Sequence, residues 1–212
     1  YKTFMWPAGF WRYYEHQIRK AAGFGVVPDG PDPDDYDHMN VHCDVLVVGA
    51  GPAGLSAAVE AGRADARVIL VDERSDLGGS LLGSHARRIN QSPVSEWASA
   101  MAGELATMPE VRVLTRTTAV GYYEHNFLLA LERRTDHLTP GQTQEPRQRL
   151  WRIRARQVVL ATGAIERPLV FSNNDRPGIM LASGVSEYIN RYSVLPGSRA
   201  VVFTNNDSAY QT

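Results

Sequence analysis

The chain has 212 residues, 43% of them hydrophobic, and 22 lysines and arginines set against 23 aspartates and glutamates leave a formal charge of −1. That balance excludes the basic footprint of a nucleic-acid surface or a polybasic membrane anchor, and no apolar run approaches the roughly 20 residues that span a bilayer. A single cysteine, Cys43, excludes an internal disulfide framework and a four-cysteine metal site, and agrees with a reducing, cytoplasmic setting.

Both ends read as internal to a longer polypeptide. Tyr1 falls inside an aromatic segment, and Thr212 lies just past Ala200-Val201-Val202-Phe203, an apolar run expected to be a strand feeding a helix. Residues 7–22 predict a helix: Pro7 suits its first position, Phe10, Tyr14, Ile18 and Ala21 share one face, and Gly23 stops it. Trp6, Phe10, Trp11, Tyr13 and Tyr14 are read as a docking face rather than a ligand box. Residues 27–40, with three prolines and five aspartates, read as a solvated linker or surface arm, so residues 1–40 form an aromatic helix and an acidic linker.

From Asp44 the pattern changes. Val45-Leu46-Val47-Val48 is a short continuous apolar run, as expected for a parallel strand covered on both faces. Residues 52–63 are helical, Asp65 sits at a left-handed turn, and Val68-Ile69-Leu70-Val71 is a second buried strand. Ser92-Pro93 caps a further helix whose Val94, Trp97, Met101 and Leu105 form a core stripe, and residues 111–113 suggest a short strand. Residues 117–123, 127–133 and 150–156 read as an antiparallel meander, its last two strands joined by a polar loop (residues 135–148) with Pro140-Gly141. Val158-Val159-Leu160-Ala161 is a separate apolar strand ending in Thr162-Gly163, residues 183–192 suggest a helix, and Pro196-Gly197 opens the last strand.

The chemistry lies in Gly49-Ala50-Gly51-Pro52-Ala53-Gly54. Three glycines alone are weak evidence, but here a strand precedes them, a helix follows, and the next strand ends in acid. Gly49 allows the tight turn, Gly51 lets backbone approach a pyrophosphate without a Cβ, and Gly54 lets helix pack on strand. The helix N-terminus then offers unpaired N–H groups and the positive end of its dipole. Asp72, 18 residues beyond Gly54, is placed to bond the adenosine ribose; the adjacent Glu73 stands as the alternative. A carboxylate there disfavours a 2′-phosphate, which favours NAD or FAD over NADP, while Arg74 keeps NADP open. Leu77-Gly78-Gly79-Ser80 places a glycine pair near the dinucleotide, and Ala161-Thr162-Gly163 closes a strand after the meander. The set predicts an α/β fold, a Rossmann-like parallel sheet with an inserted antiparallel meander at about residues 111–157, within a dinucleotide-binding domain at residues 41–170.

These segments, with Ala164-Ile165-Glu166-Arg167-Pro168, resemble the glutathione-reductase-like two-dinucleotide fold. More narrowly, residues 3–11, Phe171-Ser172-Asn173-Asn174-Asp175-Arg176-Pro177-Gly178-Ile179-Met180 and residues 202–211 resemble the α subunits of heterotetrameric sarcosine oxidases. The resemblance implies that the segment holds NAD tightly rather than turning it over. It implies FAD and FMN in a partner β subunit, further γ and δ subunits, and a tetrahydrofolate-binding domain elsewhere in the α polypeptide. Carried over by motif, Gly49, Gly51, Gly54, Asp72 or Glu73, Gly79 and Ala161, Thr162 and Gly163 hold the dinucleotide, with Ala50, Pro52, Ala53, Arg74 and Ser80 flanking, and Val120 offers backbone to the adenine.

After residues 200–203 a nicotinamide domain should show another glycine turn. Instead Thr204-Asn205-Asn206-Asp207-Ser208-Ala209 places side chains there, so residues 171–212 read as the start of a degenerate second domain. No catalytic or metal residue is assigned. Cys43 beside His42 reads as an inert thiol at a strand start, and His16, His38, His85, His125 and His137 lack metal-site spacing. Two other functions stay open: an FAD-binding subunit of a proline, opine or glycine dehydrogenase, and a non-catalytic dinucleotide-binding scaffold. The segment alone is expected to be inactive.

Overall fold

The computed structural model describes residues 6–7, 9–23, 25, 29–84, 88–139, 143–207 and 209. His85, Pro140-Gly141, Ser208 and parts of the segments at 3–11, 27–40 and 202–211 lie outside the described residues. The chain forms two compact units, Tyr1–Asp34 and Asp35–Thr212.

In the first unit, α1 spans Trp11–Ala21. Its start is four residues later than expected from Pro7, because the Phe10 N–H donates to the Pro7 carbonyl (3.1 Å) in a tight turn before the helix. None of its residues is buried, and Phe10 is 57% exposed.

The second unit is built on a six-stranded sheet. Its elements in chain order are β1 (Tyr36–Val48), α2 (Pro52–Arg63), β2 (Val68–Val71), a 3₁₀ turn at Gly79–Gly83, β3 (Arg88–Ile89), β4 (Ser92–Pro93), α3 (Val94–Thr107), β5 (Val111–Leu114), β6 (Thr117–Tyr123), β7 (Phe127–Arg133), β8 (Gln148–Leu160) and α4 (Ala182–Tyr192). The strand order is β5-β2-β1-β8-β7-β6. β5, β2, β1 and β8 run parallel, and β8, β7 and β6 form the antiparallel meander. β3 and β4 make a separate two-residue pair, so Ser92 is strand rather than cap, and Pro93 precedes α3 without a side-chain cap.

Two corrections concern length. Residues 36–40, read as linker, are the first part of β1 and pair in parallel with Gln148 to Arg152. Their polar side chains hide the strand in the sequence; the register is held by a bidentate ion pair from Arg149 to Asp37 (2.7 Å at the shorter arm), which also holds the Asp37 carboxyl below its ordinary range. The two strands expected at 150–156 and 158–161 are one strand, β8, which runs through Arg156-Gln157 without a break. A third correction concerns the run at 200–203. It forms no strand, and Val201 is 97% exposed: no neighbouring strand among the described residues takes its backbone groups.

The core follows strand periodicity. Successive side chains point to opposite faces, so Val47, Val68 and Leu70 meet Leu55, Ala58 and Val59 of α2 and Val94, Ala98 and Leu105 of α3. Trp97 and Met101 pack against the same cluster, as the helical stripe predicted. On the other face Leu46, Ile69 and Val71 join Leu128, Trp151 and Ile153 of the meander. Burying each such aliphatic side chain contributes about 1.5–3 kcal/mol against chain entropy. The two clusters clamp the parallel strands from both sides and leave their C-terminal ends as one edge.

Candidate dinucleotide site

That edge is set by register. Val48 stands opposite both Val71 and Leu160, so β1, β2 and β8 end together, where ligands of open parallel sheets bind. Gly49 has φ +100°, and a Cβ there would run into the Ala161 carbonyl. Its N–H donates to the Val71 carbonyl (2.8 Å), and the Ala161 N–H donates to the Val48 carbonyl (2.8 Å), which locks the three strand ends. A Cβ at Gly54 would strike the Gly49 carbonyl, so α2 starts against the turn only because that residue is bare.

Gly51 differs from both. A Cβ on it would meet no atom within 4 Å, so nothing among the described residues requires its bareness. The space before it is open. Gly79 (φ +55°) comes in from the side, and a Cβ on it would lie 2.8 Å from the Gly51 Cα. The Gly78 N–H donates to the Ala50 carbonyl (2.8 Å), fixing the glycine pair on the turn. Gly51 also precedes α2 with Pro52 in its first turn, and the Leu55 N–H closes back on the Gly51 carbonyl (2.9 Å). The Ala53 and Gly54 N–H groups therefore lack acceptors within the helix and face outward from its positive end.

Of the two candidate carboxylates, Asp72 turns inward and Glu73 is exposed. Asp72 Oδ2 accepts from the Ala50 N–H (2.6 Å) and Oδ1 from the Arg74 N–H (2.8 Å). The Glu73 carbonyl accepts from Arg133 Nη2 (2.8 Å). Beyond β2, the Thr117 N–H donates to the Asp72 carbonyl (2.7 Å), drawing the start of β6 to the same edge. Val120 lies three residues on, roughly 10 Å along the strand. It is the extra residue of a bulge between Ala119 and Gly121, and is 55% exposed.

The structure thus gathers Gly49, Ala50, Gly51, Pro52, Ala53, Gly54, Asp72, Gly79 and Ala161 at one edge. Ser80, Thr162 and Gly163 are exposed beside it, Gly163 with φ +71°. Arg74 turns away: its Nη1 donates to Glu187 Oε1 of α4 (2.8 Å). Glu187 is a residue that sequence reasoning missed, since nothing local marks a partner 113 positions away. Two shallow concavities lie on the meander, one lined by Arg116, Glu132, Arg133 and Arg134, the other by residues 122–126. Neither includes a glycine-turn residue.

Cys43 is 2% exposed, and burial, with the Asp44 charge second, pushes its thiol up to about 11. His42 is exposed and, as the next residue of an extended strand, faces the other way. This is the inert thiol expected. Among the described residues no helix is long and apolar enough to cross a membrane.

Residues 44–107 match the family model of FAD dependent oxidoreductases. The chain is 52% identical over 211 residues to the sarcosine oxidase subunit alpha of Rhizobium meliloti (strain 1021), covering 99% of this chain and 21% of that subunit. It is 54% identical over 189 residues to the same subunit of Corynebacterium sp. (strain P-1), covering 89% and 20%. Among solved structures, the L-proline dehydrogenase from P. horikoshii superposes with a TM-score of 0.62 at 29% identity, over 76% of this chain and 30% of that one. The chain spans about a fifth of the length of the curated relatives it matches. With a glycine turn, a carboxylate-closed second strand and an inserted meander on one mixed sheet, the chain has the fold of an FAD dependent oxidoreductase domain, and over nearly its whole length it is similar to about a fifth of the sarcosine oxidase subunit alpha.

Proposed function

We propose that the edge formed by Gly49 to Gly54, Asp72 and Gly79 binds a dinucleotide, and that the dinucleotide is NAD held as a fixed part of the protein. One observation carries this reading: Gly51 is bare although nothing among the described residues needs it to be, and Gly79 is pressed against it. Such a cradle suits a group that arrives from outside and must touch backbone. The Ala53 and Gly54 N–H groups would face the pyrophosphate. Asp72, oriented by Ala50 and Arg74, keeps lone pairs for the ribose hydroxyls, and its charge repels a 2′-phosphate. The unpaired backbone of the Val120 bulge would meet the adenine edge, with Ala161, Thr162 and Gly163 along the other flank. When bound, such a group supplies a two-electron redox couple; this chain's residues grip and orient it.

For the whole protein we take the activity carried in the name of its relatives. It is the oxidative demethylation of sarcosine to glycine, reducing oxygen to hydrogen peroxide and passing the one-carbon unit to tetrahydrofolate to form methylenetetrahydrofolate. On this reading the protein is a cytoplasmic hetero-oligomer with β, γ and δ subunits, FAD and FMN sit in β, and residues 171–212 begin a degenerate second nucleotide domain. A second reading places FAD in this glycine turn, within a proline-, opine- or glycine-type dehydrogenase; the FAD-dependent family match and the likeness to L-proline dehydrogenase favour it. A third, a purely structural nucleotide scaffold, overlaps the first.

Denaturing the purified full-length protein and identifying the released nucleotide by mass tests all three. NAD near one per chain supports the first reading. FAD without NAD selects the second, and no nucleotide at all removes the premise.

A further inference from the structure

We infer that Glu187 is a specificity-determining residue: it holds the Arg74 guanidinium on α4, away from the ribose end of the glycine-turn edge, and so excludes dinucleotides bearing a 2′-phosphate. The inference rests on the reading that this edge binds a nicotinamide dinucleotide.

Arg74 stands where a 2′-phosphate site would place its cation, two residues past the carboxylate that closes β2. Its backbone N–H is bonded to Asp72 Oδ1, so its Cα is fixed beside the ribose-facing acid. The side chain nevertheless leaves the edge. Glu187 Oε1 accepts from Arg74 Nη1 (2.8 Å) and from Arg191 Nη1 (2.9 Å), and Arg191 Nη2 reaches Asp76 (2.7 Å). The four side chains sum to zero charge. With the arginine neutralised and pinned, its charge is withheld from the ribose end, and a 2′-phosphate there meets the Asp72 carboxylate without the Arg74 guanidinium to offset it.

The lock is separable from the packing that surrounds it. α4 is seated on the 3₁₀ turn by two bonds that do not involve Glu187: Ser186 Oγ and Asn190 Nδ2 both donate to the Gly83 carbonyl (2.8 and 2.9 Å). Replacing Glu187 with Gln keeps shape and seat, yet leaves Arg74, Arg191 and Asp76 with one net positive charge close to the ribose end.

The test uses the purified full-length protein, freed of nucleotide and incubated with equal NAD and NADP, followed by mass quantification of what is retained. The wild type keeps NAD and excludes NADP. Glu187→Gln raises the retained NADP:NAD ratio at least tenfold, and adding Arg74→Ala to it returns the ratio to the wild-type value, a reversal that a merely structural role for Glu187 would not give. Glu187→Ala, which removes the same charge, gives the same rise and serves if Glu187→Gln is not recovered folded. An unchanged ratio in a folded Glu187 variant, or a raised ratio that persists once Arg74→Ala is added, overturns the inference. A wild type that retains neither NAD nor NADP overturns instead the reading of the edge.

Discussion

The carboxylate of Asp72 is bonded to the amide of Ala50 at 2.6 Å, so the acid that ends β2 is fastened to the turn that ends β1. The same carboxylate caps the Arg74 amide through its other oxygen (2.8 Å). It shapes the edge before it meets any ligand. Asp72→Ala leaves two amides without their acceptor, and one unsatisfied buried donor costs about 1–3 kcal/mol. The expected outcome is a drop of that order in denaturant unfolding together with loss of retained nucleotide. Glu73→Ala, on an exposed side chain, should change stability by less than about 0.5 kcal/mol and keep the nucleotide.

Gly51 and Gly54 separate binding from folding. Gly54→Ala drives a methyl into the Gly49 carbonyl, and overpacking of this kind costs about 1–3 kcal/mol, outweighing the ~1 kcal/mol that alanine gains over glycine in a helix. Gly51→Ala, with φ −72° and open space before it, should leave the melting temperature near wild type. Nucleotide retention should nonetheless fall at least tenfold. Thermal unfolding and nucleotide content, measured on both variants, check the contrast; equal loss of stability in the two would contradict it.

The fold should weaken in acid through Asp44. Hydrogen bonds from the Arg67 side chain and backbone hold its carboxyl down at about 2, below the ordinary 3.8. A carboxyl depressed by folding stabilises the fold above its unfolded pKa and loses that contribution as pH falls through the folded one. The gap in stability between wild type and Asp44→Asn should therefore be constant at neutral pH and shrink from about pH 4 toward pH 2. Urea titrations of both proteins across that range measure it.

Cys43 should be silent in the native protein. A thiol raised to about 11 and 2% exposed offers almost no thiolate at neutral pH. A chromogenic thiol reagent at pH 8 should label it only as the protein unfolds, at the unfolding rate. Rapid labelling of folded protein would show that the strand start is open.

The glycine turn, the apolar cores of β1 and β2, and the α3 stripe were legible because each is local: a motif or a periodicity within about 15 residues. Asp65 at φ +56° was legible for the same reason. The first part of β1 was not, since Tyr36-Asp37-His38-Met39-Asn40 carries no apolar alternation and draws its order from Arg149, 112 residues away. The single strand β8 was hidden at Gln157, a polar residue between Arg156 and Val158 that reads as a break although it stays paired with Val45 of β1. At the edge, the glycines and acids announced themselves, but that Asp72 turns inward while Glu73 is exposed needed the Ala50 amide, and the diversion of Arg74 needed α4. Local pattern shows which residues can serve; which of them do is decided by partners that only folding brings near.

β8 is one unbroken strand of 13 residues, laddered to β1 on one side and to β7 on the other. It leaves no hinge between the meander and the sheet that ends in the glycine turn. The two should open together, as a single cooperative unit, when amide exchange is followed under native conditions. Tightening the turn at the far end of β1 then damps fluctuations along its whole length, so that a nucleotide gripped beside Gly49 slows exchange as far back as Tyr36 and Gln148.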